Sequence, residues 1–299
     1  MKTGYRSLAE QGLLTQRAQE AFEHLQSCDL CGWKCKVDRL SGKLGVCKTG
    51  VSARVSSYTA HYGEEKPLVG WGGSGTIFFS GCNMRCVYCQ NYEISQLSQG
   101  KEVTNEELAK MMLTLQEHGC HNINLVSPSH VIPQIIAAIA IAAENGLQIP
   151  IVYNTGGYDS LEGLALLDGI IDIYMPDMKY ASRNLARKYS HIPNYPSVNQ
   201  TAVKEMYRQV GNLQLDENGI AQKGLLIRHL VLPNQIAGSE KILQFIAEQI
   251  STETYLNIMD QYYPTYLAHK YPELNRTIRP REVQKVLELA HALGFRHTL

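Results

Sequence analysis

The chain has 299 residues, a length that suits about two average domains or one α/β barrel. Its 28 Lys and Arg residues balance 28 Asp and Glu residues, so the formal net charge is zero. This balance argues against a protein that binds nucleic acid through phosphate contacts and against a polybasic membrane anchor. A hydrophobic fraction of 44% with 19% charged residues is typical of a folded protein and excludes intrinsic disorder.

The N-terminal segment MKTGYRSLAEQGLLTQRAQEAFEHL lacks the apolar core and cleavage site of a signal peptide. The most apolar stretch, 131–143, contains Pro133 and is too short to span a bilayer. We therefore expect a cytoplasmic protein with no membrane partner, in which clustered thiols serve metal binding or catalysis. The eight cysteines form a group of four, a group of three and a single Cys120, which is expected to be a core residue.

In chain order, apolar residues at helical spacing over 5–27 predict one amphipathic helix. A loop-rich cysteine segment follows to about residue 50, and the Gly-rich stretch up to residue 75 predicts a hairpin or loop cover. Beyond it, apolar strands alternate with helices. The predicted strands are 75–80, 122–126, 149–154, 172–179, 225–232 and 255–259. The predicted helices are 104–118, 131–145, 159–168, 181–189 or 197–210, 237–250 and 280–294.

This alternation predicts an α/β fold with a parallel sheet covered on both sides. Six strands are too few for a closed eight-stranded barrel, so we expect an open or partial barrel. The predicted division is a helix plus cysteine extension over 1–70 and a barrel domain over 71–299. Chemistry in this class gathers at the C-terminal ends of the strands, where Cys82, Ser127 and Asp177 are expected to share one rim.

The group of three cysteines, Cys82, Cys86 and Cys89, has C-x3-C-x2-C spacing directly after a predicted strand. Three thiolates can hold three irons of a [4Fe–4S] cube and leave the fourth iron open to a ligand. The alternatives are incidental thiols or a zinc site completed by a distant histidine. Tyr88, the aromatic residue just before Cys89, is assigned to the same site.

The group of four cysteines has C-x2-C-x3-C-x11-C spacing and comprises Cys28, Cys31, Cys35 and Cys47. Four thiolates suit either a tetrahedral zinc ion or an iron–sulfur cluster. The surrounding segment is poor in apolar residues, so a bound metal would stabilise it. An auxiliary iron–sulfur cluster that relays electrons or binds substrate is the functional alternative, and the spacing leaves both metals open.

The cluster loop and several other segments resemble the radical S-adenosylmethionine (SAM) superfamily. The likeness is strongest to its activating-enzyme branch and, within it, to the PflX-like relatives of pyruvate formate-lyase activating enzyme. The segments that carry it are CDLCGWKCKVDRLSGKLGVC, GEEKPLVGWGGSGTIFFSGCNMRCVYCQNYEIS, NLVSPSHVIPQ, VYNTGGYD, DIYMPDMKY and NIMDQYYP. The resemblance implies a partial (β/α)6 barrel.

The resemblance also implies a reductive reaction. An electron from the [4Fe–4S] cluster would cleave SAM to methionine and a 5′-deoxyadenosyl radical, which would abstract hydrogen from a substrate. The implied partners are SAM, an electron donor such as flavodoxin or ferredoxin, and an unknown protein, peptide or small-molecule substrate. The substrate of an activase would be a protein glycine. A radical SAM enzyme that modifies a small molecule or peptide, or a non-catalytic iron–sulfur electron carrier or redox sensor, is the alternative.

Carried over residue by residue, the resemblance implies that Ser127, Asp177 and Lys179 contact SAM. The alternative for the loop of Ser127 is a structural one, in which Ser129 caps the following helix. The alternative for Asp177 and Lys179 is a salt bridge at the end of a strand. Arg228 interrupts an apolar strand and needs a carboxylate partner, either that of SAM or an internal one such as Asp177.

A monovalent-cation site beside SAM is also implied by the resemblance. Its ligands would be Thr155, the backbone carbonyl of Met175, and Asp177. Asn154, assigned with Thr155 to the SAM site, stands where the family pattern has Asp, which weakens the charge of such a site. Glu64 and its neighbour Glu65 are expected in a solvated loop.

Overall fold

A computed structural model describes residues 3–298. Its strands are β1 (Ala53–His61), β2 (Ser74–Phe79), β3 (Lys101–Val103), β4 (Ile123–Val126), β5 (Ile151–Thr155), β6 (Ile173–Pro176), β7 (Gln214–Leu215), β8 (Ala221–Leu230) and β9 (Tyr255–Met259). Its helices are α1 (Gly4–Glu10), α2 (Leu13–Glu23), α3 (Lys66–Val69), α4 (Tyr92–Ser95), α5 (Asn105–Glu117), α6 (Ile132–Glu144), α7 (Leu161–Leu167), α8 (Arg183–Ser190), α9 (Tyr195–Val210), α10 (Ser239–Gln249) and α11 (Pro280–Ala292).

The sheet has a parallel core of β2, β4, β5, β6, β8 and β9, in that spatial order. The antiparallel strand β1 pairs with β2 and carries β3 at the outer edge, while the short β7 pairs antiparallel with β8. Within residues 3–298 no strand pairing joins β9 to the β1–β3 edge, so the barrel is open on that side. The predicted α/β partial barrel is therefore confirmed.

The helices follow the strands as the alternation predicts. The two alternatives 181–189 and 197–210 both exist, as α8 and α9. The best-defined start is that of α5, where the Thr104 hydroxyl accepts from the Glu107 amide and the Glu107 carboxylate accepts from the Thr104 amide. No helix in the described part of the chain is long and apolar enough to cross a membrane.

The N-terminal helix differs from the prediction of one helix over 5–27. Gly12 adopts a left-handed conformation with φ of 71°, which ends α1 and starts α2, and a 3-10 turn over His24–Ser27 follows. Glycine adopts this conformation without the steric cost that a side chain adds, so the chain turns there. The helix α2 packs on α6, which brings the first cysteine group to the C-terminal rim of the sheet.

The barrel interior contains a segment of the chain that precedes β2. Leu68, on α3, is fully buried among side chains of the parallel strands, including Val152, Ile173 and Leu226. The Asn122 side-chain amide donates to the Leu68 carbonyl at 2.8 Å and fixes α3 at the N-terminal end of the strands. As a result, Glu64 and the residue after it extend into the barrel rather than into solvent.

Candidate metal and cofactor site

The loop after β2 carries the group of three cysteines to the C-terminal rim. Gly81 starts the loop with a φ of 83°, and a side chain there would meet the Cys47 carbonyl oxygen at 2.8 Å. The loop is then bound to the end of α8, because the Val87 amide donates to the Tyr189 carbonyl at 2.8 Å. Glycine is therefore required at the point where the chain leaves the sheet.

Each of the three thiols has a hydrogen-bonding neighbour. The Met84 amide donates to Cys82 Sγ at 3.3 Å, and the Ser190 hydroxyl donates to Cys86 Sγ at 3.0 Å. Cys89 Sγ lies 3.1 Å from the hydroxyl of Ser95, on α4. Donors of this kind stabilise a thiolate, which is the form that binds metal. The arrangement holds all three sulfurs in defined positions around the loop.

Burial dominates the chemistry of these thiols. It raises the pKa of Cys82 to about 11 and that of Cys86 to about 12, although the nearby Lys179 charge lowers both. Without metal the two thiols are therefore neutral at pH 7, and metal binding would release their protons.

Tyr88 lies behind the cluster loop in an aromatic cluster. It is 5% exposed, and its hydroxyl accepts from Tyr180 at 2.6 Å. Its ring packs edge-on against Tyr180 and Tyr262. The Tyr180 hydroxyl lies 2.8 Å from Ser190 Oγ, so this cluster also supports the donor to Cys86. These contacts show a packing role for Tyr88, and its contact with a cofactor stays a prediction.

The four cysteines of the N-terminal group line one narrow cavity with a volume of about 10 Å³. The members are Cys28, Cys31, Cys35 and Cys47. Two of the thiols accept hydrogen bonds from backbone amides two residues further on, Cys31 from Trp33 and Cys35 from Val37. Cys82 receives the same kind of bond from Met84 in the other loop. Both segments are therefore turns in which the backbone faces sulfur.

A buried arginine is the charged neighbour of this cavity. Arg39 is 1% exposed, and its Nη1 lies 3.8 Å from Cys28 Sγ. It also donates to the His130 carbonyl at 2.9 Å and to the Gly50 carbonyl at 3.0 Å through Nε. These bonds hold the guanidinium of Arg39 beside the cysteine cavity.

The two cysteine groups are in direct contact. The Trp33 indole donates to the Asn83 carbonyl at 2.6 Å, and the Asn83 side chain hydrogen-bonds the Cys31 thiol. The Arg85 guanidinium also donates to the Val46 carbonyl. The N-terminal extension thus packs against the loop that carries the group of three cysteines.

The interior face of the sheet carries an ion-pair network around Arg228. Its Nε donates to Asp177 Oδ1 at 2.9 Å, and its Nη2 donates to Asn154 Oδ1 at 2.7 Å. Lys179 Nζ donates to the other oxygen of Asp177 at 2.5 Å. Burial would raise the pKa of Asp177, but the Arg228 and Lys179 charges outweigh it and lower that pKa. Arg228 therefore has an internal carboxylate partner.

Glu64 and Glu65 lie inside the barrel beside the network of Arg228, so the expectation of a solvated loop is wrong. We call these charged and amide side chains together the interior layer. Glu64 accepts from Asn124 at 2.9 Å and lies 3.5 Å from Arg228 Nη1. Both carboxylate oxygens of Glu65 lie 2.8 Å from the Asn257 amide nitrogen, and burial raises the Glu65 pKa. The available sequence signal for the burial of this segment is Leu68, because an apolar residue is more typical of a packed segment than of a solvated loop.

The loop after β4 contains Ser127 and Ser129, which have different environments. Ser127 is half-buried and left-handed, with φ of 59°, and its amide donates to the Asn154 carbonyl at 2.9 Å. Ser129 does not cap α6, whose N-cap residue is Val131. Its hydroxyl instead lies 3.0 Å from that of Thr155.

Thr155 follows Asn154 on β5 and points to the opposite face of the sheet. Its hydroxyl donates to Asp159 Oδ2 at 2.7 Å, in addition to its contact with Ser129. Met175, near the end of β6, is fully buried. The structure thus brings Asn154 to the network of Arg228 and takes the Thr155 side chain away from it.

The fold and the site define the class of this chain. It is a partial α/β barrel in which the first parallel strand leads into a three-cysteine loop, above an interior layer of charged and amide side chains. Within residues 3–298, no three Cys, His, Asp or Glu side chains converge closely enough to hold one metal ion. In a [4Fe–4S] cube each cysteine binds a different iron, so three thiols on one loop fit a cluster without converging on a single ion.

Comparison with known proteins identifies the family. The sequence model of the radical SAM superfamily matches residues 76–210. An uncharacterised protein of Methanocaldococcus jannaschii is 31% identical over 286 residues, covering 93% of this chain and 78% of the relative. The pyruvate formate-lyase-activating enzyme of Clostridium pasteurianum is 25% identical over 232 residues, covering 75% of this chain and 90% of the relative. The chain belongs to the radical SAM superfamily.

A solved structure agrees in fold. Streptococcus suis SuiB bound to the precursor peptide SuiA has a TM-score of 0.50 at 9% identity. The superposition covers 73% of this chain and 46% of that one. At this identity the likeness concerns the fold alone. Membership of the superfamily, whose members are generally enzymes, implies a [4Fe–4S] cluster and SAM, and the group of Cys82, Cys86 and Cys89 fits that cluster.

Proposed function

We propose that this protein is a radical SAM enzyme in which Cys82, Cys86 and Cys89 hold the catalytic cluster. The observation that carries the proposal is the three-thiol loop at the end of the first parallel strand, directly above the charged interior layer. When bound and reduced, the cluster supplies the electron that cleaves SAM and yields the 5′-deoxyadenosyl radical for hydrogen abstraction. The protein binds and orients the reactants and excludes water.

The residues around the loop have separate tasks in this proposal. Ser190, Ser95 and the Met84 amide orient the three sulfurs through the hydrogen bonds described above. Such contacts around metal ligands tune the potential of a cluster. Lys179, whose charge acts on Cys82 and Cys86, adds a positive charge close to the cluster.

The proposed SAM site lies between the loop and the interior layer. Ser127 and Lys179 supply polar groups on the rim, while Asp177 and Asn154 are held by Arg228. The hydroxyl of Thr155 supports this layer from the other face of the sheet. A non-catalytic electron carrier would need no such polar interior, which favours an enzyme over that alternative.

For the substrate, we propose an activating-enzyme-like role with hydrogen abstraction from a polypeptide. The support is the printed function of one relative, pyruvate formate-lyase activation, and the peptide bound to SuiB. The open side of the barrel between β9 and the β1–β3 edge would admit a segment of chain. Modification of a small molecule is the second candidate, and a flavodoxin or ferredoxin in the cytoplasm would supply the electron.

The test is 5′-deoxyadenosine formation by reduced, anaerobically reconstituted protein supplied with SAM. We expect production that is abolished in Cys86→Ala. The matched control is Cys120→Ala, which removes a buried thiol in the core and should leave production intact. Wild-type protein with a full cluster and no production, with or without candidate polypeptides, would refute the enzymatic proposal.

We also propose that the N-terminal cysteines hold a second [4Fe–4S] cluster within a metal-bound extension over 1–70, beside a barrel domain over 71–299. A tetrahedral zinc site needs four sulfurs about 2.3 Å from one ion. The four thiols line one cavity, and four thiolates can also bind the four irons of a cube. Contact through Asn83 would bring the second cluster next to the first, a position suited to electron relay.

Metal analysis tests this second centre. Wild-type protein purified without oxygen should contain about eight irons and eight sulfides, two cubes per chain. The variant Cys82→Ala/Cys86→Ala/Cys89→Ala should retain about half of both, and Cys31→Ala/Cys35→Ala should also lose about half. One equivalent of zinc with a single cube would refute the second cluster and assign the extension to zinc.

A further inference from the structure

Asp177, one of the ligands implied for the monovalent-cation site, and the nearby Asn154 are already bound by a side chain of the protein. The Arg228 side chain extends from β8 into the barrel and reaches Asn154, on β5, and Asp177, directly after β6. It donates to Asn154 Oδ1 at 2.7 Å and to Asp177 Oδ1 at 2.9 Å. Its third nitrogen, Nη1, lies 3.5 Å from Glu64 Oε1. A guanidinium therefore contacts three oxygens that would otherwise attract a metal cation.

Two further contacts hold the side chains of the implied cation site, Asp177 and Thr155. Asp177 Oδ2 accepts from Lys179 Nζ at 2.5 Å, so each oxygen of this carboxylate has a cationic partner. The Thr155 hydroxyl donates to Asp159 at 2.7 Å on the opposite face of the sheet. A sodium or potassium ion at this place would lie against two fixed positive charges, which repel it.

The four groups in direct ion-pair contact balance without an added cation, while the nearby Glu65 carboxylate accepts from the neutral Asn257 amide. The carboxylates of Glu64 and Asp177 are matched by the cations Arg228 and Lys179. Asn154 is neutral and offers an amide oxygen to the guanidinium. An aspartate at position 154 would add a negative charge and leave the network short of one cation. The neutral residue and the arginine therefore form a consistent pair.

We infer that Arg228 stands in place of the monovalent cation, as a built-in positioning residue that aligns Asn154 and Asp177 for SAM binding. The inference rests on the proposed function, because SAM is the ligand of the aligned layer. Arginine presents five N–H donors, of which two make the bonds to Asn154 and Asp177. The side chain is 16% exposed, so part of it is open to contact from a bound ligand.

SAM affinity in different salts tests the inference. Holoprotein is dialysed against labelled SAM in potassium, sodium or tetramethylammonium chloride at equal ionic strength. Wild-type affinity should be the same in all three salts, within about twofold. Arg228→Gln should bind SAM about tenfold more weakly in every salt, because charged hydrogen bonds are lost. Arg208→Gln, at an exposed arginine on α9, is the matched control and should behave like the wild type.

The double variant Arg228→Gln/Asn154→Asp separates a positioning role from a general structural one. It restores the acidic residue of the family pattern and removes the guanidinium, so potassium should recover SAM affinity where tetramethylammonium does not. Loss of stability alone would not produce this cation-specific recovery. A wild-type affinity that rises about fivefold or more with potassium would overturn the inference, as would a double variant with no cation preference.

Thermal unfolding in the same salts keeps the inference separate from the proposed function. If the wild type binds no SAM in any salt, the proposed function fails. The unfolding midpoints then decide about Arg228. A midpoint that rises specifically with potassium in the double variant, and not in the wild type, would support the replacement of a cation. Any other pattern of midpoints would overturn it.

Discussion

Protonation of His229 provides a test of how the interior layer responds to acid. The side chain is fully buried beside Arg228, and its Nδ1 lies 2.7 Å from the Met178 carbonyl. A carbonyl only accepts, so Nδ1 carries the proton and Nε2 accepts from the Ser239 hydroxyl at 2.8 Å. The neutral ring thus has both of its hydrogen bonds, and a second proton would break one of them.

The expected magnitude follows from the pKa of this ring. Burial lowers the pKa of His229 from 6.5 to about 4. A group with a lowered native pKa binds fewer protons in the folded state, so its contribution is complete at pH 7.5 and is lost as pH falls below 6.5. By linkage, the difference of about 2.5 pKa units corresponds to about 3 kcal/mol in full, of which about 2 kcal/mol is lost by pH 5.

The assay is the thermal unfolding midpoint of anaerobic holoprotein at pH 7.5 and pH 5.0. His229→Asn keeps an amide donor for the Met178 carbonyl and cannot be protonated. For a chain of this size, 2 kcal/mol corresponds to about 4 °C. The wild-type midpoint should therefore fall about 4 °C further between the two pH values than that of the variant.

The comparison isolates His229, because every other titrating group is common to both proteins. His291→Asn, at an exposed histidine on α11, controls for the loss of an imidazole and should follow the wild type. Equal pH sensitivity of the wild type and His229→Asn would refute the reasoning. It would mean that this ring is protonated in the folded protein, despite its burial.

Two further substitutions test the packing around the site. Gly157→Ala should lower the unfolding midpoint more than Gly219→Ala, because both have positive φ but only the first side chain would meet Asn199 and the Asp177 carbonyl. Equal midpoints would contradict the close approach at Gly157. Tyr180→Phe removes the hydroxyl contacts with Tyr88 and Ser190, and should cost about 1–3 kcal/mol in the free energy of unfolding. Denaturant titration measures this loss, and an unchanged midpoint would show that the contacts contribute nothing.

Local patterns predicted the frame of this structure well. The parallel strands are short apolar runs and the helices have clear periodicity, so both follow from residues close together in the sequence. The helix predicted over 5–27 was interrupted because Gly12 favours a left-handed turn over helix continuation. The cysteine groups were equally visible, since their spacing is local. These features need no knowledge of distant parts of the chain.

The interior layer could not be predicted in the same way, because its partners come from different strands. Arg228 requires a carboxylate, but its position alone does not choose between SAM and Asp177, and the structure shows the latter. For Glu64 the only local signal of burial is the nearby apolar Leu68. Its environment depends on α3 entering the barrel, a tertiary event that Leu68 drives through burial in the interior.

The N-terminal extension packs against the three-cysteine loop, even though the superfamily model begins only at residue 76. The extension reaches the loop through Trp33, Val46 and the carbonyl of Cys47, which contact Asn83, Arg85 and Gly81. A metal that orders the extension would therefore also order the backbone that holds Cys82 and Cys86. If both cysteine groups bind metal as we propose, each centre would stabilise the turns that build its neighbour.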